Sequence, residues 1–260
     1  MSKKAIITGG ARRLGKAMAL ELASKGTDII IHYNKANEDA EETRDLARSK
    51  GVKAEILQAD LLEMTDTIQL IAKANKKMGG VFDLLINNAS IFEYDNLNTV
   101  DIESWDRHIN SNLRSAVFLT QKFAQQALTT QKNKDKIPYS NLNIINMIDQ
   151  RVRKITPEFM SYTTAKMGLW AFTQSSAQFL APHIRVNAIG PGPTLQGSRQ
   201  SKENFEQQRR STPLMRGADE IDITNAMNFI LNAYSLTGQL ICIDGGQHLA
   251  WQTPDVLGIE

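Results

Sequence analysis

The sequence has little of what defines several classes of protein. Its 260 residues include a single cysteine, Cys242, so no disulfide can form within the chain, and this usage is typical of reducing compartments. Cys242 lies in the apolar run 240–243, where we expect it to be buried. The formal charge is only +2, and lysine and arginine are scattered along the chain. No basic face is apparent, and we therefore expect no nucleic acid partner.

Long apolar runs and linkers are also missing. No stretch approaches the ~18 apolar residues that span a bilayer, so we expect no membrane partner. The first residues, Ser2, Lys3 and Lys4, lead directly into an apolar segment with no room for a signal peptide, and we expect a cytoplasmic protein. No segment rich in proline, glycine or serine divides the chain, which predicts one domain over 1–260.

Short apolar segments alternate with amphipathic segments of helical length. The segments that we predict as strands are 4–7, 27–32, 53–58, 83–86, 143–146, 185–189 and 240–243. The segments that we predict as helices are 14–25, 38–50, 64–77, 102–130, 161–180, 202–209 and 219–232. This alternation predicts an α/β fold, a doubly wound parallel sheet with helices on both faces. Ligands bind beyond the carboxyl ends of the strands in such sheets, and polar motifs follow those ends here.

A glycine-rich turn follows the first predicted strand. Residues 8–15, TGGARRLG, open a helix in which Leu14, Met18 and Leu22 recur at helical spacing. Such a turn presents backbone N–H groups and the positive end of a helix dipole to a phosphate. The alternative is a tight strand-to-helix turn without a ligand, which is less favoured because the turn belongs to the first βαβ unit.

Tyr162 and Lys166 lie four residues apart in a predicted helix. That spacing places both side chains on one face, one turn apart. A tyrosine hydroxyl has a pKa near ~10 in water, and a neighbouring ammonium favours the phenolate. We therefore expect Lys166 to lower the pKa of Tyr162 and make it a proton donor at neutral pH. Taken alone, the pair is also consistent with coincidence, because this spacing is common by chance.

Together these motifs resemble the short-chain dehydrogenase/reductase family over nearly the whole chain. The matching residues are 8–15, 87–89, Asn112, Tyr162, Lys166, Pro191, Gly192, Thr237, Gly238 and 244–246. The resemblance implies a single-domain, Rossmann-like sheet of seven parallel strands, with a cofactor half of about 1–142 and a catalytic and substrate half of about 143–260. It also implies a nicotinamide cofactor, Tyr162 as proton donor and Lys166 on the nicotinamide ribose. Asn112 would then position the water that links Lys166 to solvent.

Three departures from the common family pattern resemble pteridine reductases and the similar bacterial dihydromonapterin reductases. Arg13 stands where the common pattern has glycine, and Asp149 replaces the serine expected before the tyrosine. The segment 87–92, NNASIF, resembles one in which an aromatic residue stacks on the pterin ring and a serine meets its polar edge. Phe92 and Ser90 occupy those positions here. The alternative for Phe92 is an ordinary core aromatic.

Asp149 has a consequence for the choice of substrate. An ionised carboxylate would repel the alkoxide that forms when a ketone is reduced. Reduction of a C=N bond requires a proton at nitrogen, and a carboxyl group can relay that proton. Asp149 therefore favours a pterin over a ketone as substrate. The alternative is that Asp149 has drifted in a scaffold with little activity.

The end of the second predicted strand indicates which dinucleotide binds. An NAD enzyme places a carboxylate there for the ribose 2′-hydroxyl, whereas an NADP enzyme places cations for the 2′-phosphate. Residues 32–36 are HYNKA, with Lys35 and no acid before Glu38. We therefore predict NADPH as cofactor, with Arg12 and Arg13 as supporting charges. A solvated lysine on a loop is the alternative for Lys35.

The predicted site has three groups of residues. The catalytic residues are Asp149, Tyr162, Lys166 and Asn112. The cofactor-binding residues are Gly9, Arg12, Arg13, Leu14, Gly15, Asn34, Lys35, Ala59, Asp60, Leu61, Asn88, Ala89, Ser90, Met147, Tyr162, Lys166, Pro191, Gly192 and Thr194. The substrate-binding residues are Arg13, Ser90, Phe92, Asp149 and Tyr162. Asp60 is expected to bond the adenine amino group and could also cap the next helix, and the four scattered histidines predict no metal site.

The leading hypothesis is an NADPH-dependent reductase that converts a dihydropterin to a tetrahydropterin, with dihydrofolate as a further candidate substrate. One alternative is a broad carbonyl or 3-oxoacyl reductase of the same family. An alternative of another class is a non-catalytic NADP-binding sensor, against which Tyr162 and Lys166 argue. In the similar reductases the helices matching 102–130 and 161–180 pair across a two-fold axis, which implies a homotetramer. The polar segment 197–210 is expected to be a mobile flap or a plain surface helix.

Overall fold

A sheet of seven parallel strands forms the centre of the computed structural model, which describes residues 3–131, 141–197 and 199–251. The strand order is β3-β2-β1-β4-β5-β6-β7. The strands are β1 (Lys4–Ile7), β2 (Asp28–Tyr33), β3 (Ala54–Gln58), β4 (Leu84–Asn87), β5 (Leu142–Met147), β6 (Ile184–Pro191) and β7 (Leu240–Ile243). Every neighbouring pair is parallel, so the predicted doubly wound parallel sheet is confirmed.

Helices cover both faces of the sheet. They are α1 (Arg13–Ser24), α2 (Asn37–Arg48), α3 (Met64–Met78), α4 (Ile102–His108), α5 (Ser115–Gln131), α6 (Met160–Leu180), α7 (Lys202–Arg210) and α8 (Glu220–Asn232). Ile7 and Ile31 pack with α1, α2 and α8 in one buried cluster, whereas Ile6 and Ile30 pack with α3, α5 and α6 in another. This division follows from the two-residue period of a strand, which sends successive side chains to opposite faces.

The direction of winding reverses at β1. This strand pairs with β2 on one side and with β4 on the other, so the segments that follow β1 and β4 diverge to opposite faces. A crevice opens at such a point, outside the carboxyl ends of the strands, and it is where ligands bind in open α/β sheets. The predicted motifs after β1, β2, β4 and β5 all lie at this edge.

The predicted helix 102–130 is interrupted. A π-helical segment, Ile109–Arg114, separates α4 from α5 and contains the predicted site residue Asn112. A π turn holds one more residue than an α turn, and it occurs mostly as a short insertion within α-helices, frequently at functional sites. The apolar period of the sequence gave no sign of it, because one extra residue barely disturbs a pattern read over many turns.

Two further expectations concern surface segments. Cys242 is half-buried and not fully buried, because β7 is the last strand of the sheet and has a neighbour on one side only. Within the predicted flap 197–210, Lys202–Arg210 is a helix with no buried residue, as in the surface-helix alternative, and Ser198 lies outside the described residues. In the described ranges no helix has both the length and the apolar character needed to cross a membrane.

Candidate active site

Close backbone contacts shape the turn between β1 and α1. A Cβ atom on Gly15 would lie 2.1 Å from the Gly9 carbonyl oxygen and 2.7 Å from Nδ2 of Asn88, so only glycine fits. Arg13 has a φ of 53°, a left-handed conformation that costs a side chain roughly 1–2 kcal/mol and explains why glycine is the expected residue there. No side chain caps the first turn of α1, so its N–H groups are placed to bind a phosphate.

Hydrogen bonds join the ends of β1 and β4. The Asn88 amide donates to the carbonyl oxygens of Thr8 at 2.9 Å and Gly9 at 3.1 Å. The Thr8 hydroxyl accepts from the backbone N–H groups of Asn88 at 2.9 Å and Ala89 at 3.0 Å. The two sides of the crevice, at the ends of β1 and β4, are therefore joined by side chains from the predicted motifs 8–15 and 87–89.

His32, at the end of β2, supports the same turn from below. The Gly9 N–H donates to its Nδ1 at 3.1 Å, and its Nε2 donates to the Ala59 carbonyl at 3.1 Å. Burial lowers the pKa of His32 to about 4, so the ring is neutral at pH 7 and carries its proton on Nε2. The sequence pattern does not distinguish His32 from the three other scattered histidines. Its place at the end of β2, facing the glycine turn, was the signal that could have identified it.

The cations expected near the ribose have different surroundings. Arg12 forms an ion pair with Asp39, the third residue of α2. Lys35 lines the crevice and has no carboxylate oxygen within 4.0 Å among the described residues. Lys35 is therefore placed to bind a phosphate, whereas Arg12 would have to be shared with Asp39.

Asp60 follows β3 and does not cap α3, whose N-cap residue is Glu63. Its Oδ1 accepts from the Leu62 N–H at 2.9 Å, which fixes the turn before α3. Its contact with an adenine amino group stays a prediction. The neighbouring Ala59 is buried, and its carbonyl oxygen accepts from His32, so Ala59 contributes to the site through that ring.

Asp149, Tyr162 and Lys166 converge at the end of β5. The Tyr162 hydroxyl donates to Oδ2 of Asp149 at 2.9 Å, and the Arg151 N–H donates to Oδ1 of Asp149 at 2.8 Å. Lys166 is 2% exposed, and its Nζ donates to the Met147 carbonyl at 2.8 Å. The predicted pairing of tyrosine with aspartate in place of a serine is thus a direct contact in the structure.

The acidity of these groups differs from our expectation. Burial raises the pKa of Tyr162 well above its ordinary value, and the charge of Asp149 and the hydrogen bond to it act in the same direction. The expectation that Lys166 lowers the pKa of Tyr162 is wrong for this arrangement, because the Lys166 ammonium is directed to Met147 and lies 5.6 Å from the tyrosine ring centre. Burial lowers the pKa of Lys166 to about 8 and raises that of Asp149. Tyr162 therefore rests as a phenol that donates to Asp149.

Asn112 binds the segment that follows β4. Its Oδ1 accepts from the Ile91 N–H at 2.8 Å, and its Nδ2 donates to the Ile91 carbonyl at 2.8 Å. This reciprocal pair fixes the residue that precedes Phe92. The predicted role of Asn112 in holding a water near Lys166 stays a prediction.

Aromatic rings gather around Tyr162. Phe92 is 47% exposed, so it is not an ordinary core residue. Its ring stacks on Phe159 with centroids 4.4 Å apart and meets Tyr162 edge-on at 4.7 Å. Phe159 has a φ of 56° at the start of α6, and sequence reasoning missed it. No sequence signal marks such a residue, because its position depends on a left-handed turn that favours glycine.

Two arginines connect the loop after β6 to the rest of the crevice. Arg13 donates to the carbonyl oxygens of Gln196 at 2.7 Å and Leu195 at 3.0 Å, and Arg199 donates to the carbonyl of Phe92. The predicted substrate residue Arg13 thus bonds to the loop in this structure. The loop is held from both sides of the crevice.

Helix α7 is attached at its last turn. Arg209 donates to the Ala218 carbonyl at 2.7 Å and to Oδ1 of Asp219 at 2.7 Å. Phe205 and Gln208, on the same helix, line the crevice. The helix therefore forms the outer side of the site although none of its residues is buried.

The crevice forms a cavity of about 790 Å³ at the carboxyl ends of the strands. All but two of the predicted site residues line it, the exceptions being Ala59 and Asn112, which lie behind the lining. Residues that line it without having been predicted include Gln150, Arg151, Leu195, Phe205, Gln208 and Gln247. In the part of the chain that the structure describes, no three His, Cys, Asp or Glu side chains are grouped so as to hold a metal ion.

Comparisons with known proteins agree with this geometry. A family model for short chain dehydrogenase matches residues 3–208. The structure of FolM alternative dihydrofolate reductase 1 from Brucella suis in complex with NADP is 40% identical, covers 97% of this chain and 98% of its own, and has a TM-score of 0.89. That of the Brucella canis protein complexed with NADP is 39% identical over 98% and 97%, with a TM-score of 0.89. The 3-oxoacyl-[acyl-carrier-protein] reductase FabG of Staphylococcus aureus is 30% identical over 254 residues, 96% of this chain and 99% of that protein.

Proposed function

The chain belongs to the short chain dehydrogenase family, and from that premise we propose that it is an NADPH-dependent reductase that converts a dihydropterin to a tetrahydropterin, the pterin ring of dihydrofolate included. The hydride goes to the carbon of a C=N bond, and Tyr162 with Asp149 supplies the proton. Two solved structures of FolM alternative dihydrofolate reductase 1, each about as long as this chain, support the substrate class.

The observation that carries the proposal is the 2.9 Å hydrogen bond from Tyr162 to Asp149. A carboxylate at this point would repel the oxyanion formed from a ketone. The same carboxyl group suits a nitrogen acceptor, because burial raises its pKa and so makes the protonated form easier to reach. For catalysis Tyr162 turns its hydroxyl proton from Asp149 to the substrate nitrogen. A protonated Asp149 can then donate its proton to the tyrosine oxygen across the same 2.9 Å, so that the hydrogen bond runs in the opposite direction.

The residues at the strand ends fit a dinucleotide phosphate. The turn packs so closely that a methyl group at Gly15 would collide with Gly9. Because no side chain stands at Gly15, the backbone N–H groups of the turn stay accessible to a pyrophosphate. Lys35 would hold the 2′-phosphate, and Lys166 would hold the nicotinamide ribose. When bound, NADPH supplies the hydride. The two FolM proteins were solved with NADP, which supports this choice of cofactor.

Phe92 and Ser90 give the substrate side its expected contacts. Nearly half of the Phe92 side chain is exposed in the cavity lining, where a flat pterin ring can stack on it. Ser90 lines the cavity too, where its hydroxyl donates to the Ile91 carbonyl at 3.3 Å and opposes the rise in the pKa of Tyr162 that burial causes. The serine is therefore close enough to the proton donor to meet the polar edge of the same ring.

A 3-oxoacyl or carbonyl reductase is the second candidate. Similarity to the Staphylococcus aureus 3-oxoacyl reductase over nearly the whole chain favours it, and the charge of Asp149 argues against it. A non-catalytic NADP-binding sensor has no use for a buried Tyr162–Asp149 pair beside Lys166. We therefore rank it last.

One assay separates the three candidates. NADPH oxidation is followed with dihydromonapterin, dihydrobiopterin, dihydrofolate and an acetoacetyl thioester at equal concentrations. The proposal expects turnover of at least one dihydropterin or dihydrofolate and little turnover of the thioester. Turnover of the thioester alone would overturn it, and NADPH binding without any turnover would support the sensor.

We also propose a homotetramer with D₂ symmetry. Apolar side chains are exposed on the two helical regions expected to pair, at Ile102, Trp105, Met167 and Phe179. Phe179 is 85% exposed, which is unusual for a large aromatic residue unless another surface covers it. Light scattering at micromolar concentration should give four times the chain mass of 29.0 kDa. A monomeric mass would refute this assembly.

A further inference from the structure

A buried polar network lies directly behind Tyr162. It consists of Asp95, His108 and Ser161, each no more than 1% exposed. Ser161 donates its hydroxyl to Oδ2 of Asp95, and its oxygen lies 2.7 Å from Nδ1 of His108. The proposed mechanism uses none of these three residues.

The hydrogen bonds define the tautomer of His108. Its Nε2 accepts from the Glu93 N–H at 3.1 Å, so that nitrogen carries no proton. The proton must then lie on Nδ1, where it is shared between the Ser161 hydroxyl oxygen and the Ser104 carbonyl at 2.9 Å. Each polar group of the ring is satisfied, as is usual for a buried network that defines one arrangement.

The network connects two segments that are far apart in sequence. One is the segment after β4, where Glu93 follows Phe92. The other is the start of α6, where Ser161 precedes Tyr162 and the Phe159 N–H donates to the Asp95 carbonyl at 2.7 Å. The centre of the His108 ring lies 6.1 Å from that of Tyr162, and His108 forms no hydrogen bond with Tyr162 or Asp149.

We propose that Asp95, His108 and Ser161 are positioning residues that fix Phe92 relative to Tyr162. They would thereby keep the substrate ring at a constant distance and angle from the proton donor. His108 acts on each side through a different nitrogen. Nε2 holds the Phe92 side through Glu93, and Nδ1 holds the Tyr162 side through Ser161. The inference rests on the proposed function in taking the substrate ring to stack on Phe92.

Acid should disturb this arrangement on the Phe92 side. A second proton would enter at Nε2, where it would face the Glu93 N–H, a donor against a donor. Burial lowers the pKa of His108, the charges of Asp95 and Glu93 oppose that shift, and Arg107, paired with Glu93, adds to it. Since the folded protein resists this proton, the network is intact at neutral pH and is lost only as the pH falls below the ordinary histidine value of ~6.5.

Two variants of His108 separate the roles of its nitrogens. His108→Asn keeps a donor near the Nδ1 position and removes the acceptor for Glu93, so it should raise the KM for the dihydropterin about threefold, less than loss of the Phe92 ring would, with kcat nearly unchanged. His108→Gln keeps an acceptor near the Nε2 position and removes the donor to Ser161, so it should lower kcat about tenfold with KM nearly unchanged. The glutamine does not titrate, so the rise in KM below pH ~6.5 should also disappear in that variant.

The matched control is Ser176→Ala, which removes a hydroxyl on the same helix that bonds only to carbonyls of α6. It should leave both constants unchanged. NADPH affinity and thermal unfolding show that each variant is folded. If a His108 variant does not fold, Ser161→Ala replaces it and should lower kcat about tenfold with unchanged NADPH affinity.

Equal changes in KM and kcat in both His108 variants, or a parallel loss of NADPH affinity, would reduce the network to a structural role and overturn the inference. Unchanged kinetics in both would overturn it as well. The wild-type substrate assay decides the proposed function separately. If the wild type reduces only the thioester, the proposed function fails and the Phe92 side of the inference fails with it. The loss of kcat in His108→Gln, measured with the thioester, still tests the Tyr162 side of the network.

Discussion

The two sides of the cavity are held in different ways. The cofactor wall, residues 8–15, 32–35 and 88–89, is fixed by hydrogen bonds of 2.9–3.1 Å among groups such as Thr8 and His32 that are almost fully buried. The substrate wall, residues 195–197 and 199–210 with Phe92, contains a helix without a buried residue and is joined to the rest of the site by arginines that bond to carbonyl oxygens. Few buried contacts mean low local stability, so we expect the first wall to be preformed and the second to adapt to its ligand.

The largest loss should come from Tyr162, which lies where the two walls meet. Tyr162→Phe keeps the ring and removes the proton donor, so turnover should fall by ~10²–10⁴. NADPH affinity should stay nearly intact, because the ring keeps its place, with its edge-on contact to Phe92, and only the hydroxyl is lost. Steady-state kinetics and a fluorescence titration measure the two quantities. A mutant with the kcat of the wild type would show that Tyr162 is not the donor.

Asp149→Ser tests the chemistry at the same meeting point. Loss of the carboxyl group that accepts from Tyr162 should lower pterin reduction at least about tenfold. Weak thioester or ketone reduction should hold steady or rise, because the repulsion of an alkoxide is relieved. Both substrates are measured on one preparation. Faster turnover of both would remove the case for a pterin and leave an NADPH-dependent reductase.

Lys35 tests the cofactor wall alone. The wild type should bind NADPH about tenfold more tightly than NADH, a difference of about 1.4 kcal/mol. Lys35→Ala should bring the two affinities together and leave the substrate KM unchanged, since the residue lies on the cofactor wall. Lys50→Ala, at an exposed lysine beyond α2, is the control. Equal affinities in the wild type would contradict the assignment of the 2′-phosphate site.

Phe92 tests the substrate wall, with the smallest expected effect. Phe92→Ala removes a stacking surface, of which Phe159 already covers one face, so the loss should be about 1 kcal/mol, or about a fivefold rise in pterin KM. NADPH affinity should not change. An unchanged KM for the pterin would show that its ring does not stack on Phe92.

Sequence reasoning served the cofactor wall better than the substrate wall for a physical reason. In the cofactor wall, Gly9, Gly15 and Asn88 are constrained by local turns and by strand ends, whose order follows from the alternation of apolar segments. Nearly all of the residues expected there line the cavity. In the substrate wall, Arg199 and Arg209 bond to carbonyls more than eight positions away along the chain, and such contacts depend on loop conformations that no local pattern encodes.

The burial and charge around each side chain are the second property that the sequence did not predict. Tyr162 and Lys166 both line the cavity, as their spacing on one helix face predicts, but that spacing carries no information on burial. Burial and the Asp149 charge raise the pKa of Tyr162 in the structure, and Lys166 is directed to Met147. The network of His108 and Ser161 could not be predicted from the sequence either, because neither residue belongs to a motif and their contact depends on the packing of distant segments.

The π segment Ile109–Arg114 has a consequence for insertions and deletions. An α-helix advances about 100° per residue, so removing one residue from this segment would restore a regular helix and rotate everything on one side of the gap by that angle. His108 precedes the segment and Asn112 lies within it, yet both bond to the same stretch after β4. A one-residue deletion would leave every side chain of the site present and still separate these two anchors. The number of residues between them is thus as much a requirement of the site as their identity.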